Sequence, residues 1–400
     1  LATIGVRGFS AAEFSSLHST ETCVEQARKT YITAGRSHNR PQALMNRANT
    51  VMHKNTVHAD ATKAAAVEPD FVVLGTVDVE RGAIADLAIS ADGTTIVATH
   101  YGDQSVSVID AYAMTVDADI EMPVEPHLVT ATRRRAYVTI SGHHYDSIAV
   151  IDTENKQVIA NHQVLGVATD VAVSPDATRI FVGRVGDDSV GLAVINTFGR
   201  THILDIADGL GRTVDAVRVG PNGRIVYVAT SDADSGTLFV VDAAAGRVIR
   251  EVPIASPIRD IVLSRDGALA YVASFDTHWG GSVDIIDTAV NEITAKVGIG
   301  GAPMQMALSA DGARLYIADY EHVAVLCTET NSVVDILTVV AEPSCVAVGP
   351  DSSRLYIADH AGAITVLSVA SDPSDAVTDQ LISLNVSAAP ELRKLEPAGV

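Results

Sequence analysis

Basic residues are scarce in this 400-residue chain: 28 Lys and Arg stand against 49 Asp and Glu, a formal charge of −21. Nucleic-acid backbones are held by Lys and Arg that neutralise phosphate, so no nucleic-acid partner is expected. The deficit is uneven, because residues 1–70 carry 8 basic against 6 acidic side chains and residues 71–400 carry 20 against 43. A body this acidic suits a well-solvated surface or cationic partners. Cysteine is sparse too. Cys23, Cys327 and Cys345 show neither metal-ligand nor redox spacing, and an odd number cannot all pair within one chain. Cys327 ends one apolar strand and Cys345 begins another, so both are expected to be buried as small hydrophobes. No apolar run approaches the roughly 18 to 20 residues of a membrane-spanning helix, and no transmembrane segment is expected. A Gly-x-Ser-x-Gly elbow is missing, which argues against a serine hydrolase of the α/β type. The chain opens at Leu1 (LATIGVRGFSAAEF) with no initiator Met and no basic-then-apolar leader. Either there is no standard export signal or one has been removed.

What is abundant is short apolar bursts. Hydrophobic residues make up 47% of the chain and charged residues 19%, with Val, Ile and Ala grouped in runs of strand length. These runs repeat. An apolar strand, a Ser/Gly-x-Asp/Asn-Gly turn, a Tyr-Val-Ala strand, a variable loop, a Val-x-Val-Ile-Asp strand and a Val-rich strand recur in order. The turns fall at Ser90, Ala131 (one residue short), Ser174, Gly220, Ser264, Ser309 and Gly349. Seven copies at a spacing of about 43 residues match the four-stranded blades of a β-propeller. The fold class expected is therefore all-β, a seven-bladed propeller of four-stranded antiparallel blades over 71–370, after a leader (1–70) that is partly helical or flexible and before a tail (371–400). Asp110, Asp152, Asp242 and Asp287 end the third strand in four copies, where a carboxylate can bond its own backbone two residues on. They are expected to be structural.

A repeat array leaves a raw edge at each end unless it closes into a ring. The seventh copy has three clear strands, and FVVLGTVDV at 71–79 reads as a fourth that precedes the first copy. The segment 71–79 is expected to close the last blade, with LISLNV at 381–386 as the rival. The stretches Tyr137-Val138-Thr139-Ile140, Tyr227-Val228-Ala229-Thr230, Tyr271-Val272-Ala273-Ser274 and Tyr316-Ile317-Ala318-Asp319, with the Ser-Pro-Asp-Gly turns, resemble the YVTN-type β-propeller repeat proteins across about 71–370. The Asn of that signature is missing. Trp-Asp dipeptides and Gly-Gly pairs of the WD40 and kelch kinds do not mark the repeat. The resemblance implies surface-layer, periplasmic, redox-associated and lactonase-like relatives at once, hence architecture more than chemistry, and a cell-envelope or extracytoplasmic location.

In a closed propeller the loops joining strand four to strand one, and strand two to strand three, share one face around the channel mouth. Residues there that the repeat does not require are the functional candidates. The start of the first strand gives Asp86, His127, Asp170, Ala216, Asp260, Gln305 and Cys345, and the end of the second gives His100, Ile140, Arg184, Thr230, Ser274, Asp319 and Asp359. The loops add His143, His144, His278, Trp279 and His360, among others. Phe-Asp-Thr-His-Trp-Gly-Gly (275–281) holds the single Trp of the chain and reads either as a binding anchor or as a cap on the blade core. The rim candidates are thus His100, His127, His143, His144, Asp170, Arg184, Asp260, His278, Trp279, Asp319, Asp359 and His360. The leading expectation is a monomeric, non-catalytic scaffold, without cofactor, that binds a protein, ligand or cell-envelope component at this rim. The alternative is a lactonase- or lyase-like enzyme with a divalent metal held by His100, His127, Asp359 and His360, since imidazole and carboxylate suit both metal binding and acid–base work.

Overall fold

The computed structural model describes residues 70–370 apart from 143, 144, 197 and 210. The chain divides into two units, Leu1–Ala66 and Val67–Val400, and the expected helices of the leader, His143, His144 and the 381–386 segment lie outside the described residues. The second unit holds seven antiparallel four-stranded sheets, with no helix among the described residues. Blades 1 to 6 are sequential meanders over 84–121, 126–164, 167–208, 213–254, 258–300 and 305–337. Blade 7 takes three strands from 343–369, and its outermost place is filled by the strand Phe71–Asp78, paired antiparallel with Ala363–Val369 from Phe71↔Val369 to Asp78↔Ala363. The ring therefore closes through the N-terminal strand, as expected.

The alternation of each strand explains why the blades stack. Successive side chains point to opposite faces, so every central strand buries both sets against its two neighbours. The apolar residues form seven cores, one between each pair of adjacent blades. Val106, Ile120, Val138 and Ile151 join blades 1 and 2, and Val77, Ile84, Tyr356 and Ile364 join blades 7 and 1 across the closure. Outer strands are exposed at alternate positions, as in Thr115–Glu121, where the odd-numbered residues face water and Val116, Ala118 and Ile120 are turned inward.

The turns on the back face, between strands one and two, are built from their own side chains. In blade 5 Ser264 Oγ donates to Asp266 Oδ1 at 2.7 Å and accepts from Leu269 N at 2.9 Å. The same pattern recurs at Ser90, Ser174 and Ser309. Each of the six full-length turns, all but the shortened one of blade 2, has one left-handed residue. Gly267 supplies it in blade 5 (φ 72°), packed so closely on Pro221 of the preceding blade that a side chain would collide, whereas Ala177 and Ser352 adopt φ of 54° and 64° without glycine's freedom. In blade 2 the shortened turn begins at Thr132, whose N–H bonds Arg135 O at 2.8 Å, one residue after the expected Ala131. The Asp residues ending the third strands are structural as read: the Oδ1 of Asp110 accepts from Tyr112 N and Ala113 N, and Asp152, Asp242 and Asp287 do the same for their own turns. Cys345 is buried, but Cys327 is only partly so, which corrects the expectation for it. It sits at the end of its strand Val323–Cys327, where the chain turns out to the back face.

Candidate functional site

Four of the seven first-strand positions picked out by sequence link one blade to the next along the channel. Asp86 accepts from Leu87 N through Oδ1 and, through Oδ2, from Val129 N of blade 2 at 2.8 Å. Asp170 repeats this with Val171 N and with Val217 N of blade 4, and Asp260 with Ile261 N and with Met306 N of blade 6. Gln305 uses its carbonyl in the same way on Val346 N of blade 7 at 2.9 Å. A backbone N–H given to a carboxylate is worth roughly 1.5 to 3 kcal/mol, so each link is a staple between neighbouring blades. A register shift beside Asp86, Asp170 and Asp260 turns the side chain towards the next blade.

Two further side chains join blades 3 and 5 through blade 4, and blades 6 and 1 past blade 7. Arg218 of blade 4 sends Nη1 to Asp170 of blade 3 at 2.7 Å and Nη2 to Asp260 of blade 5. Gln305 of blade 6 sends Nε2 to Asp86 of blade 1 at 2.8 Å. The blades that are crossed carry the two smallest residues of the series, Ala216 and Cys345, which leave room. Two of the three buried carboxylates, Asp170 and Asp260, are thus paired with one guanidinium, and the third, Asp86, with an amide. Burial, with the Asp170 charge adding to it, pushes the Asp86 carboxyl up to about 7 against the opposing bonds from Val129, Gln305 and Leu87. Burial also raises Asp260, opposed first by Arg218. Burial opposes the charge on Arg218 itself, but Asp260 and Asp170 outweigh it and hold the guanidinium protonated. Sequence reading missed Arg218, although a lone cation in the strand Thr213–Val219, flanked in the next blades by first strands containing Asp, was a usable signal.

Above this floor the walls are aromatic. Tyr101 follows the second strand of blade 1 and meets the His127 ring edge-on at 6.2 Å. Burial pushes its hydroxyl up, and Asp86, Glu125, Cys345 and Tyr320 act in the same direction, which puts these groups within electrostatic reach of one another at the channel mouth. Asp215, at the register shift of the inner strand of blade 4, accepts from Thr213 Oγ1 at 2.7 Å, while its Oδ2 is shut from solvent with no hydrogen-bond partner among the described residues. Burial raises this carboxyl to about 6.

The other candidates are spread around the rim. His100 is fully buried, its Nε2 lying 2.8 Å from Ser107 Oγ, and Ser107 donates onward to Asp119. Its Nδ1 has no hydrogen-bond partner among the described residues, and burial lowers its pKa. With the serine placed between imidazole and carboxylate, its proton is directed to Asp119 and away from the imidazole, the reverse of what a general base needs. Arg184 is buried, bonded to Asp205 at 2.8 Å and to Leu165 O. Asp319 and Asp359 each cap their own loop: Asp319 accepts from Glu321 N and His322 N, and Asp359 from Ala361 N and Ala363 N. His360 and His278 are exposed. Asp276 accepts from His278 N and Trp279 N, and Gly280 follows at φ 80°, so the loop is held in a defined turn with Trp279 at its apex, 89% exposed. That exposure rules out Trp279 as a cap on the blade core. His100, His127, Asp359 and His360 are not brought together, and among the described residues no group of three or more His, Cys, Asp and Glu is placed to hold a metal ion.

No family model matches the chain. A seven-bladed β-propeller protein of Mycobacterium tuberculosis is 33% identical over 241 residues, covering 52% of this chain and 61% of that protein. A seven-bladed β-propeller protein of Mycolicibacterium smegmatis is 39% identical over 190 residues, covering 47% and 52%. The matches thus span between half and two thirds of these relatives. Among solved structures, Kuenenia stuttgartiensis hydrazine synthase superposes with a TM-score of 0.67 at 21% identity, covering 74% of this chain and 98% of that one. The β-propeller domain of Myceliophteria thermophila Cps50 (Swd1) gives 0.64 at 13%, covering 74% and 99%. At these identities the structural likeness speaks for the fold alone. Ring, closure and relatives agree on one statement: this chain is a seven-bladed β-propeller.

Proposed function

We propose that the protein is a binding scaffold whose working surface is the channel-mouth face. The observation that carries this reading is Trp279, 89% exposed on a turn fixed by two hydrogen bonds to Asp276. A large apolar ring held rigidly in water gains nothing for folding, yet it is the residue type that most often anchors an interface, with little conformational entropy to lose on binding. Tyr101, Tyr145 and Tyr320, each close to half exposed, stand in other strand-two-to-three loops of the same face. The stapled ring beneath supplies a rigid platform for mobile or sequence-variable partners, which is how loops on a fixed scaffold usually work.

The test uses Phe198, which is 87% exposed on the back face, as a matched comparator for Trp279. A photo-reactive phenylalanine at position 279 or at 198 is irradiated in extract of the cells that make the protein. Discrete adducts at 279 that vanish when Tyr101 and Tyr320 become Ala are the expected result. Equal or greater yield at 198 overturns the reading.

A further inference from the structure

The two faces of the ring differ in charge as well as in aromatic content. The loops between strands on the channel-mouth face, from Val79 to Gly362, hold ten carboxylates against two guanidiniums, Arg81 and Arg212. The back-face loops hold seven carboxylates against six cations, five Arg and Lys156. On the back face the acids are absorbed by the turns, as Asp266 is by Ser264 and Ala268 N. On the channel-mouth face Asp187, Asp188, Asp234, Glu321 and Glu342 are exposed, and no hydrogen bond or ion pair engages their carboxylates among the described residues. Like charges gathered without partners repel, and they cost the fold while they remain unanswered. Among them stand aromatic faces that attract cations through the ring quadrupole, Trp best of all.

Resting on the binding-face reading above, we infer that the occupant is a Lys- or Arg-rich polypeptide segment, laid across the carboxylate-bearing loops with cationic side chains against Trp279 and the tyrosines. Charge complementarity selects it. An acidic or phosphorylated segment would meet the same field with the wrong sign, and a neutral apolar one would leave the carboxylates desolvated and unpaired.

The experiment measures a fluorescent ten-residue oligolysine by anisotropy, with a Gly-Ser peptide of equal length beside it. Saturable oligolysine binding that weakens about tenfold between roughly 50 and 300 mM salt is expected. Substituting Asp187→Asn, Asp188→Asn and Asp234→Asn together is expected to weaken it at least about fivefold, and Trp279→Leu, which keeps an apolar side chain but no π face, about threefold. A control triple, Glu154→Gln, Glu292→Gln and Glu329→Gln, removes the same charge from exposed positions on the back-face side and should change affinity by less than about twofold. Equal loss in both triples means only a diffuse attraction to an acidic protein and overturns the inference, as does a Gly-Ser peptide that binds as tightly. Adducts that form at position 279 but are not displaced by oligolysine would defeat the cationic partner while leaving the binding face standing. Adducts at 198 defeat both.

Discussion

The back face and the channel-mouth face are made by the same repeat, yet they treat polar side chains in opposite ways. On the back face Ser264, Asp266 and the N–H of Leu269 satisfy one another within six residues, and the Asp that ends the third strand in four blades closes its own turn. Polar groups there are consumed by folding. On the channel-mouth face the short-range needs are met by carboxylates such as Asp232, Asp276 and Asp319, while those of Asp187, Asp188, Asp234, Glu321 and Glu342 engage no partner among the described residues. Between the faces lies the channel, where Asp86, Asp170 and Asp260 do neither: they are buried, and they bind blades that lie far away in sequence. A repeat can thus vary one face freely only because a different set of residues holds the ring.

The largest effect that would break this division is expected at Arg218. Arg218→Met leaves the carboxylates of Asp170 and Asp260 buried without their cation, and breaking a buried pair on one side costs about 3 to 5 kcal/mol. Urea unfolding of the two proteins checks it, and a loss under about 1 kcal/mol would mean that the channel is not the structural hub.

The next largest is a dependence on pH. Because burial lifts Asp86 from 3.8 to about 7, the folded state binds this proton more tightly than the unfolded state. Its contribution is fully present below the unfolded value and is lost as pH rises through about 7. Stability should therefore fall by about 1.4 kcal/mol between about pH 6 and pH 8, measured by urea midpoints. Asp86→Asn should flatten that slope and leave only the lower step from Asp215, near 6. A slope unchanged by the substitution would assign it elsewhere.

A back-face turn is expected to matter less. Ser264→Ala removes one side-chain donor and acceptor, for a loss of about 1 kcal/mol in chemical denaturation, with oligolysine affinity unchanged. The smallest effect on stability is expected at Trp279, where substitution by Ala should alter the unfolding free energy by less than about 0.5 kcal/mol while weakening binding. If Trp279→Ala destabilises as much as Ser264→Ala, the two faces are not distinguished in the way described.

Much of this could be read in the sequence because the repeat writes the same solution seven times. The turn serines, the third-strand aspartates and the closing strand at 71–79 are local or periodic features, and periodicity exposes them. Arg218 is neither. Its meaning depends on two aspartates 48 and 42 residues away on either side, and on the small Ala216 that lets the guanidinium pass. His100 illustrates the converse: its place at the end of a second strand suggested the rim, but a chain to Ser107 and Asp119 holds it fully inside blade 1. Loop aspartates such as Asp319 and Asp359 look alike in sequence whether they cap a turn or face a ligand, and only the hydrogen bonds to Glu321 N and Ala361 N separate the two.

The pairing of Phe71–Asp78 with Ala363–Val369 has a consequence for the order of events when the chain is made. Six blades are complete meanders and can form as they emerge, but the seventh needs a strand synthesised nearly 300 residues before its partner. Until then the first strand of the ring waits with its edge unpaired while the neighbouring blades assemble, and contacts of such sequence separation are the slow ones to form. The nascent protein is therefore an open arc with two adhesive ends. Joining one arc's end to another molecule's would build a chain of proteins where a ring was intended, so the pairing of Ala363–Val369 with Phe71–Asp78 decides between a closed ring and an aggregate.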